Sequence, residues 1–252
     1  MIELRGKVVL VTGGSRGIGA ATVQAVAAAG ARVVLHYASA QDRAEAVARA
    51  VGSERCRVVQ ASFDRPGAAA ELWREAVAAF GQVDVLVNNA GAFEPAPIEG
   101  ELGAWTSAWQ RTLQVNLIAP ADLCREAILH FRPRGGGIIV NIASRAAFRG
   151  GAIDYMHYAA SKGGLVSLTR TIARGFAGEG VIAYVVAPGF TATELNDAFF
   201  EQNSKADLIR DIPIGDIAPP EEIGNIVAFL ASGLARHASG STIDVNGASY
   251  IR

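Results

Sequence analysis

Tyr158 and Lys162 stand four residues apart in the run Tyr158-Ala159-Ala160-Ser161-Lys162, a spacing that puts both side chains on one face of a helix. A free phenol has a pKa near 10, so about one molecule in a thousand is ionised at neutral pH. An ammonium one turn away favours the phenolate, and a shift of about three units corresponds to roughly 4 kcal/mol. That would make the hydroxyl a usable general acid or base. Taken alone the pair says little, because a Tyr and a Lys one turn apart usually form an ordinary exposed helix face. Their company is more telling. Ser144 closes the apolar run Ile138-Ile139-Val140-Asn141-Ile142-Ala143, Asn88-Asn89-Ala90-Gly91 closes another, and Asn116 sits in a long helical pattern between them. Open α/β sheets bind ligands at the C-terminal edge of their strands. A hydroxyl, a phenol, an ammonium and an amide are therefore all assigned to one rim.

A second group of residues points to what binds beside them. Thr12-Gly13-Gly14-Ser15-Arg16-Gly17-Ile18-Gly19 follows an apolar run and opens a helical one. Glycines in such a turn let the backbone approach a pyrophosphate and let helix and strand pack closely. The helix start adds free N–H groups and the positive end of its dipole. This predicts a dinucleotide site at Gly13, Ser15, Arg16, Gly17, Ile18 and Gly19. A site for NAD places a carboxylate near the end of the second strand to hold the ribose 2′-hydroxyl. The stretch here reads Leu35-His36-Tyr37-Ala38-Ser39, and the first acid is Asp42. Arg16 within the loop suits a 2′-phosphate, with Ser39 adding a hydroxyl, so NADP(H) is the expected cofactor. Tyr37, Ser39 and Phe63 are assigned to its adenosine end.

These residues need a scaffold, and the chain supplies a regular one. Short β-branched runs at 7–12, 32–36, 57–61, 84–87, 137–143, 181–187 and 242–245 alternate with helical patterns near 18–29, 40–51, 67–80, 104–131, 155–178 and 220–231. Strands that are apolar throughout suit a sheet covered on both faces. The alternation implies right-handed crossovers and hence an α/β, Rossmann-type, doubly wound parallel sheet of about seven strands with helices on both faces. At 252 residues, one domain over 1–252 is expected, with a substrate loop near 189–218. The formal net charge of −1 favours neither nucleic acid nor an acidic membrane. Cys56 and Cys124 form no CxxC, and the histidines have no ligand spacing, so neither a disulfide framework nor a metal is expected. The first residues lack a signal-peptide layout, which makes the cytoplasm the expected location.

In this order and spacing, the glycine loop, Asn88-Asn89-Ala90-Gly91, Asn116, Ser144, Tyr158, Lys162 and Pro188-Gly189 resemble the short-chain dehydrogenase/reductase family. The resemblance runs from Lys7 to about Gly247, and the core is most similar to the 3-oxoacyl-carrier-protein reductases. It implies an oxidoreductase in which Tyr158 protonates a carbonyl oxygen or deprotonates an alcohol. Lys162 would lower the phenol pKa and hold the nicotinamide ribose, Ser144 would bind the substrate oxygen, and Asn116 would anchor a relay water. Asn89, Ala90 and Gly91 would lie along the adenosine, and Pro188, Gly189, Thr191 and Thr193 would border the nicotinamide and pyrophosphate. The C-terminal Asp244-Val245-Asn246-Gly247, Tyr184 and Ser62 depart from the family's usual residues at their positions.

The substrate is less legible. A 3-oxoacyl thioester is one reading and a small free ketone, sugar or alcohol is another. Docking an acidic carrier protein calls for arginines beside the cleft, and the two family positions read Gly135 and Glu179, with Arg132, Arg134 and Arg174 nearby. Phe93, Glu94, Arg145, Phe148, Tyr155 and Phe190 are the expected substrate residues. Adjacent residues lie about 100° apart on a helix, so His157 should face away from the site that Tyr158 serves. A cofactor-binding sensor without turnover, or a lyase or epimerase on the same fold, would keep much of this pattern. Family members are commonly oligomers, and a homotetramer is expected.

Overall fold

The computed structural model describes residues 2–194 and 205–252. Seven strands, β1 (Val8–Val11), β2 (Arg32–Tyr37), β3 (Cys56–Gln60), β4 (Val85–Asn88), β5 (Gly137–Ile142), β6 (Val181–Pro188) and β7 (Thr242–Val245), pair in the order β3-β2-β1-β4-β5-β6-β7. Every pairing is parallel. Successive side chains of a strand point to opposite faces, and the apolar runs use both. Val9, Val11, Val33, Leu35, Val85 and Val140 pack against α1 (Gly17–Ala28), α2 (Gln41–Val51) and α9 (Pro220–Ala231). Val8, Leu10, Val34, Leu86, Ile139 and Ala183 pack against α3 (Ala68–Phe80), α5 (Ala119–Phe131) and α7 (Met156–Phe176). The result is the doubly wound α/β architecture.

The helical pattern over 104–131 resolves into α4 (Leu102–Leu113), a π-turn at Gln114–Ile118 and α5. Two short helices, α6 (Ala146–Arg149) and α8 (Lys205–Arg210), carry no long periodic signal and were not expected. The π-turn holds Asn116, fully buried. Single π-turns inside helices are rare and concentrate at functional sites.

The strand order reverses between β2 and β4, on either side of β1, and a crevice opens there at the C-terminal edge. Polar side chains fix that edge. The Thr12 hydroxyl accepts the N–H groups of Asn89 at 2.9 Å and Ala90 at 3.0 Å. Asn88 donates to Asn141 at 2.8 Å, and Asn141 donates to the Thr169 hydroxyl at 2.8 Å. This buried chain locks β4, β5 and α7 in register, since breaking one member would leave the others unsatisfied. Tyr184 is fully buried, and its hydroxyl donates to the Ala235 carbonyl at 2.8 Å.

His36, at the edge of β2, couples the glycine loop to β3. Its Nδ1 accepts the Gly13 N–H at 3.1 Å, its Nε2 lies 2.9 Å from the Ala61 carbonyl, and its ring stacks on Phe63 at 4.6 Å. These partners require the neutral ring, with the proton on Nε2. Burial lowers its pKa from 6.5 to about 4. The unfolded chain therefore binds a proton before the folded one does. Stability from this group is complete above about pH 6.5 and drains as pH falls towards 4. Between pH 7 and pH 5 this linkage is expected to remove about 2 kcal/mol. Urea unfolding at both values, compared with His36→Asn, checks it: the variant should lack that part of the acid loss.

Candidate active site

One cleft of about 770 Å³ runs along the C-terminal edge of the sheet, from Arg16 and Ser39 to Tyr158 and Asp211. At one end lies the glycine loop. Gly13 and Gly17 have φ of 65° and 52°, a region that L side chains avoid. A Cβ on Gly19 would stand 2.0 Å from the Gly13 carbonyl oxygen, so helix and loop approach too closely for any side chain. Arg16 precedes α1 in extended backbone, and no side chain caps the helix. Its first N–H groups therefore face the cleft with the positive dipole end. Gly13, Ser15, Arg16, Gly17, Ile18 and Gly19 all line this wall, as do Ser39, Phe63, Asn89, Ala90 and Gly91. The Asn89 side chain is committed to the loop itself, donating to the carbonyls of Thr12 at 2.9 Å and Gly13 at 3.1 Å.

Arg43, from α2, was missed by sequence reasoning. Its guanidinium and that of Arg16 converge on the Glu194 carboxylate, Arg16 at 3.3 Å and Arg43 in a short ion pair. Two cations thus share one carboxylate at the rim by Ser39 and α1. Arg43 belongs to an ordinary amphipathic helix, and nothing in its local pattern marks it.

Tyr37 does not belong to the cleft. It is buried among Val33, Leu35, Ala44 and Ala48 on the opposite face. The alternation of side chains along β2 explains the error: His36, one residue earlier, is the one that lines the wall.

The chemical end lies where β5 meets α7. Ser144 follows β5, its hydroxyl accepting the Ala146 N–H at 3.1 Å and standing near enough to the Tyr158 phenol to lower its pKa. Tyr158 is flanked edge-on by Phe93, 4.8 Å between ring centres, and Phe93 stacks on Tyr155 at 4.1 Å. Lys162 is buried, with Nζ donating to the Ile142 carbonyl at 2.8 Å and lying 5.7 Å from the centre of the Tyr158 ring. Burial pulls its pKa down to about 8. The expected acidification of Tyr158 by this ammonium is not found. Burial raises the phenol pKa, and the neighbouring Ser144 hydroxyl pulls it down only in part. Desolvation of the charged form outweighs a cation aimed at a backbone carbonyl, so Tyr158 stands as a neutral acid.

Asn116 lies just behind the wall. Its amide accepts the Ala92 N–H at 2.7 Å and donates to the Ala92 carbonyl at 3.0 Å and the Ser161 hydroxyl at 3.2 Å. Both amide hydrogens serve to hold α7 against the segment after β4, which is a positioning task.

Pro188, Gly189, Phe190, Thr191 and Thr193 close the far wall. Thr193 reaches the glycine loop, where a Cβ on Gly17 would meet its methyl at 3.0 Å. Of the loop expected at 189–218, residues 195–204 lie outside the described residues; Leu208 and Asp211, after it, line the cleft.

Glu94 and Arg145 also line it. Arg111 ties Glu94 to Asp64 across the rim, Asp64 at 3.0 Å. Phe148 points elsewhere, stacking on Tyr250 at 6.3 Å beneath the Arg252 guanidinium. The turn of α6 rotates it towards the C-terminal tail while Arg149 faces the cleft. His157 is buried off the cleft, with Nε2 3.0 Å from the Glu94 carbonyl. Among the described residues no group of three His, Cys, Asp or Glu could hold a metal ion, and no helix is long and apolar enough to cross a membrane.

Comparison with known proteins covers nearly the whole chain. A family model described as Enoyl-(Acyl carrier protein) reductase matches residues 13–248. The 3-oxoacyl-[acyl-carrier-protein] reductase FabG of Escherichia coli is 32% identical over 250 residues, covering 99% of this chain and all of that one. The cis-4-hydroxycyclohexanecarboxylate dehydrogenase of Sinomonas cyclohexanicum is 36% identical over 243 residues, covering 96% and 95%. Among solved structures, a blue fluorescent protein from a metagenomic library, in complex with NADPH, is 35% identical with a TM-score of 0.89, covering 99% and 100%.

Proposed function

The chain belongs to the short-chain dehydrogenase/reductase family, and from that premise we propose that it transfers a hydride between NADP(H) and a carbonyl or secondary-alcohol carbon, with Tyr158 as general acid and base. The observation that carries this reading is the shared cleft, with the Ser144–Tyr158 pair and Lys162 at one end and an uncapped helix start beside two arginines at the other. The residues fit such a cofactor. Gly17 adopts a φ that only glycine takes readily, Gly19 lets the helix pack against the loop, and Arg16 and Arg43 already hold one anion between them. A 2′-phosphate would take the place of the Glu194 carboxylate.

Bound NADPH supplies the hydride. The chain supplies the rest. Ser144 donates a hydrogen bond to the substrate oxygen, and Tyr158 gives that oxygen its phenolic proton, so carbonyl plus hydride plus proton yields the alcohol; oxidation runs the same steps backwards. The Lys162 ammonium, beside Tyr158, steadies the phenolate left behind, and Asn116 keeps α7 in position.

Two substrate classes compete, and one contact favours the smaller. Arg132, needed to replace the arginines expected for carrier docking, is paired with Glu179, and Arg134 donates to Gln82 at 2.7 Å. Pairing with Glu179 neutralises Arg132 and weakens the pull on an acidic carrier, while the neutral Gln82 amide leaves Arg134 its charge. A free small molecule is thus preferred over a 3-oxoacyl thioester, and one relative's name, cis-4-hydroxycyclohexanecarboxylate dehydrogenase, is of that kind. Depletion of NADPH and NADH across thioesters, sugars and simple ketones tests the reading. Net NADPH consumption matched by alcohol, faster than with NADH, is expected. Tight NADPH binding with no consumption would favour a sensor, and product without net consumption an epimerase or lyase.

The same reading takes residues 1–252 as one domain of a cytoplasmic homotetramer. Leu102 of α4, Ile118 of the π-turn and Leu129 of α5, all about half exposed or more, support an interface there. A monomeric mass in light scattering at micromolar concentration would contradict it.

A further inference from the structure

Arg145 follows Ser144 directly in the chain, and its side chain is nine-tenths buried while lining the cleft. Its backbone N–H is anchored to the Pro188 carbonyl at 2.9 Å, and its guanidinium lies over the Phe190 ring, 4.4 Å from the centre. The position is therefore fixed from both sides. A guanidinium carries five N–H donors, yet among the described residues its one hydrogen-bond partner is Asp211, at a long 3.4 Å. Asp211 is more closely engaged with Arg149, at 2.6 Å. Two guanidinium groups thus share one carboxylate, which leaves one positive charge in excess. The other acids lining the cleft here are engaged elsewhere: Asp207 pairs with Arg210 at 2.9 Å, and Glu94 shares Arg111 with Asp64. A buried cation with unused donors is costly unless an anion completes it. Desolvation and the neighbouring Arg149 charge both destabilise the Arg145 cation and lower its pKa.

We infer that Arg145 is a specificity-determining residue which binds a carboxylate of the substrate, so that the protein acts on small oxo acids and their hydroxy-acid counterparts. The inference rests on the oxidoreductase reading above and names the substrate of that same site. A carboxylate fits better than a phosphate. The planar fork matches two carboxylate oxygens, the excess charge is a single one, and Asp211 would repel a dianion. Ser144, Tyr158 and Arg145 line the same cleft, so the acid group belongs to the same small molecule as the carbonyl that Ser144 and Tyr158 hold. Long acyl chains without a nearby charge would leave Arg145 unsatisfied.

The test compares each of several short oxo acids, such as 4-oxopentanoate, with its own methyl ester, reading kcat/KM with NADPH. For the natural chain the acid should be preferred about thirtyfold to a hundredfold, the size of one charge-assisted contact in a dry site. Arg145→Met keeps the stem on Phe190 and should bring the acid-to-ester ratio close to one, while Arg145→Lys should restore part of it. Equal rates on acid and ester by the natural chain, or a ratio preserved in Arg145→Met, would overturn the inference while leaving the oxidoreductase reading intact. The first of these needs no variant to fold. Consumption of cofactor by neither member of any pair, nor by neutral ketones, would remove both.

Discussion

Tyr158→Phe is expected to lower kcat for carbonyl reduction about a thousandfold, within the range that a positioned general acid supplies, while NADPH binding measured by fluorescence stays within about threefold, since the removed hydroxyl faces the reacting carbonyl. The change removes one oxygen and keeps the ring, its edge-on contact with Phe93 and the volume of the core, so the fold should survive. What is lost is the proton that the new alkoxide must receive. Burial holds the phenol above its ordinary pKa, the neighbouring Ser144 hydroxyl offsetting this only in part, which keeps the acid form loaded at neutral pH. Ser144 still polarises the carbonyl in the variant, and water can deliver a proton slowly, so a residue of activity remains. Stopped-flow loss of NADPH absorbance with saturating ketone checks this, and a rate within tenfold of the natural chain would contradict the assignment.

The double variant Arg16→Ala, Arg43→Ala should lower NADPH affinity at least about a hundredfold and leave NADH affinity almost unchanged, because charge-assisted contacts to a 2′-phosphate vanish while the pyrophosphate contacts do not. Arg16 and Arg43 come from different elements, the glycine loop and α2, and meet only at Glu194. Each single change should cost less than the pair, as either arginine alone can still face the phosphate. Glu194→Gln should act in the opposite sense and tighten NADPH severalfold, since the competing carboxylate is gone and neutral glutamine lets go of both cations. Raising the salt concentration should erode the NADPH preference more than NADH binding, as expected for contacts that are about half exposed. Titration of both coenzymes into the four variants measures this directly. An unchanged NADPH-to-NADH ratio in the double variant would show that the 2′-phosphate is read elsewhere.

Much of this was legible in the chain because the physics is local. Apolar runs such as Val8-Val9-Leu10-Val11 demand burial on both faces, and the glycine loop before α1 has few alternatives to phosphate binding once its strand and helix are recognised. Ser144, Tyr158 and Lys162 are brought together by ends of β5 and α7 that the periodic pattern already locates. The errors have equally physical origins. Tyr37 sits one step along β2 from the cleft wall, and one step in a strand is the other face of the sheet. Phe148 lies in α6, a single turn whose rotation leaves no periodic trace, and the π-turn around Asn116 interrupts a helix that its sequence renders as continuous. Arg43, Asp211 and Arg111 reach the cleft through pairings across 151, 66 and 47 residues, which no local pattern announces. The balance of desolvation against Coulomb attraction at Tyr158 depends on burial, so the direction of its pKa shift needed the folded structure.

Hydride transfer with Tyr158 as proton donor is read out by reducing a ketone with NADPH deuterated at the transferable C4 position. One deuterium on the carbinol carbon of the alcohol and one NADPH consumed per alcohol formed are expected, with the rate of both falling about a thousandfold in Tyr158→Phe. Alcohol formed without deuterium, or at an unaltered rate once that phenol is gone, would contradict this assignment.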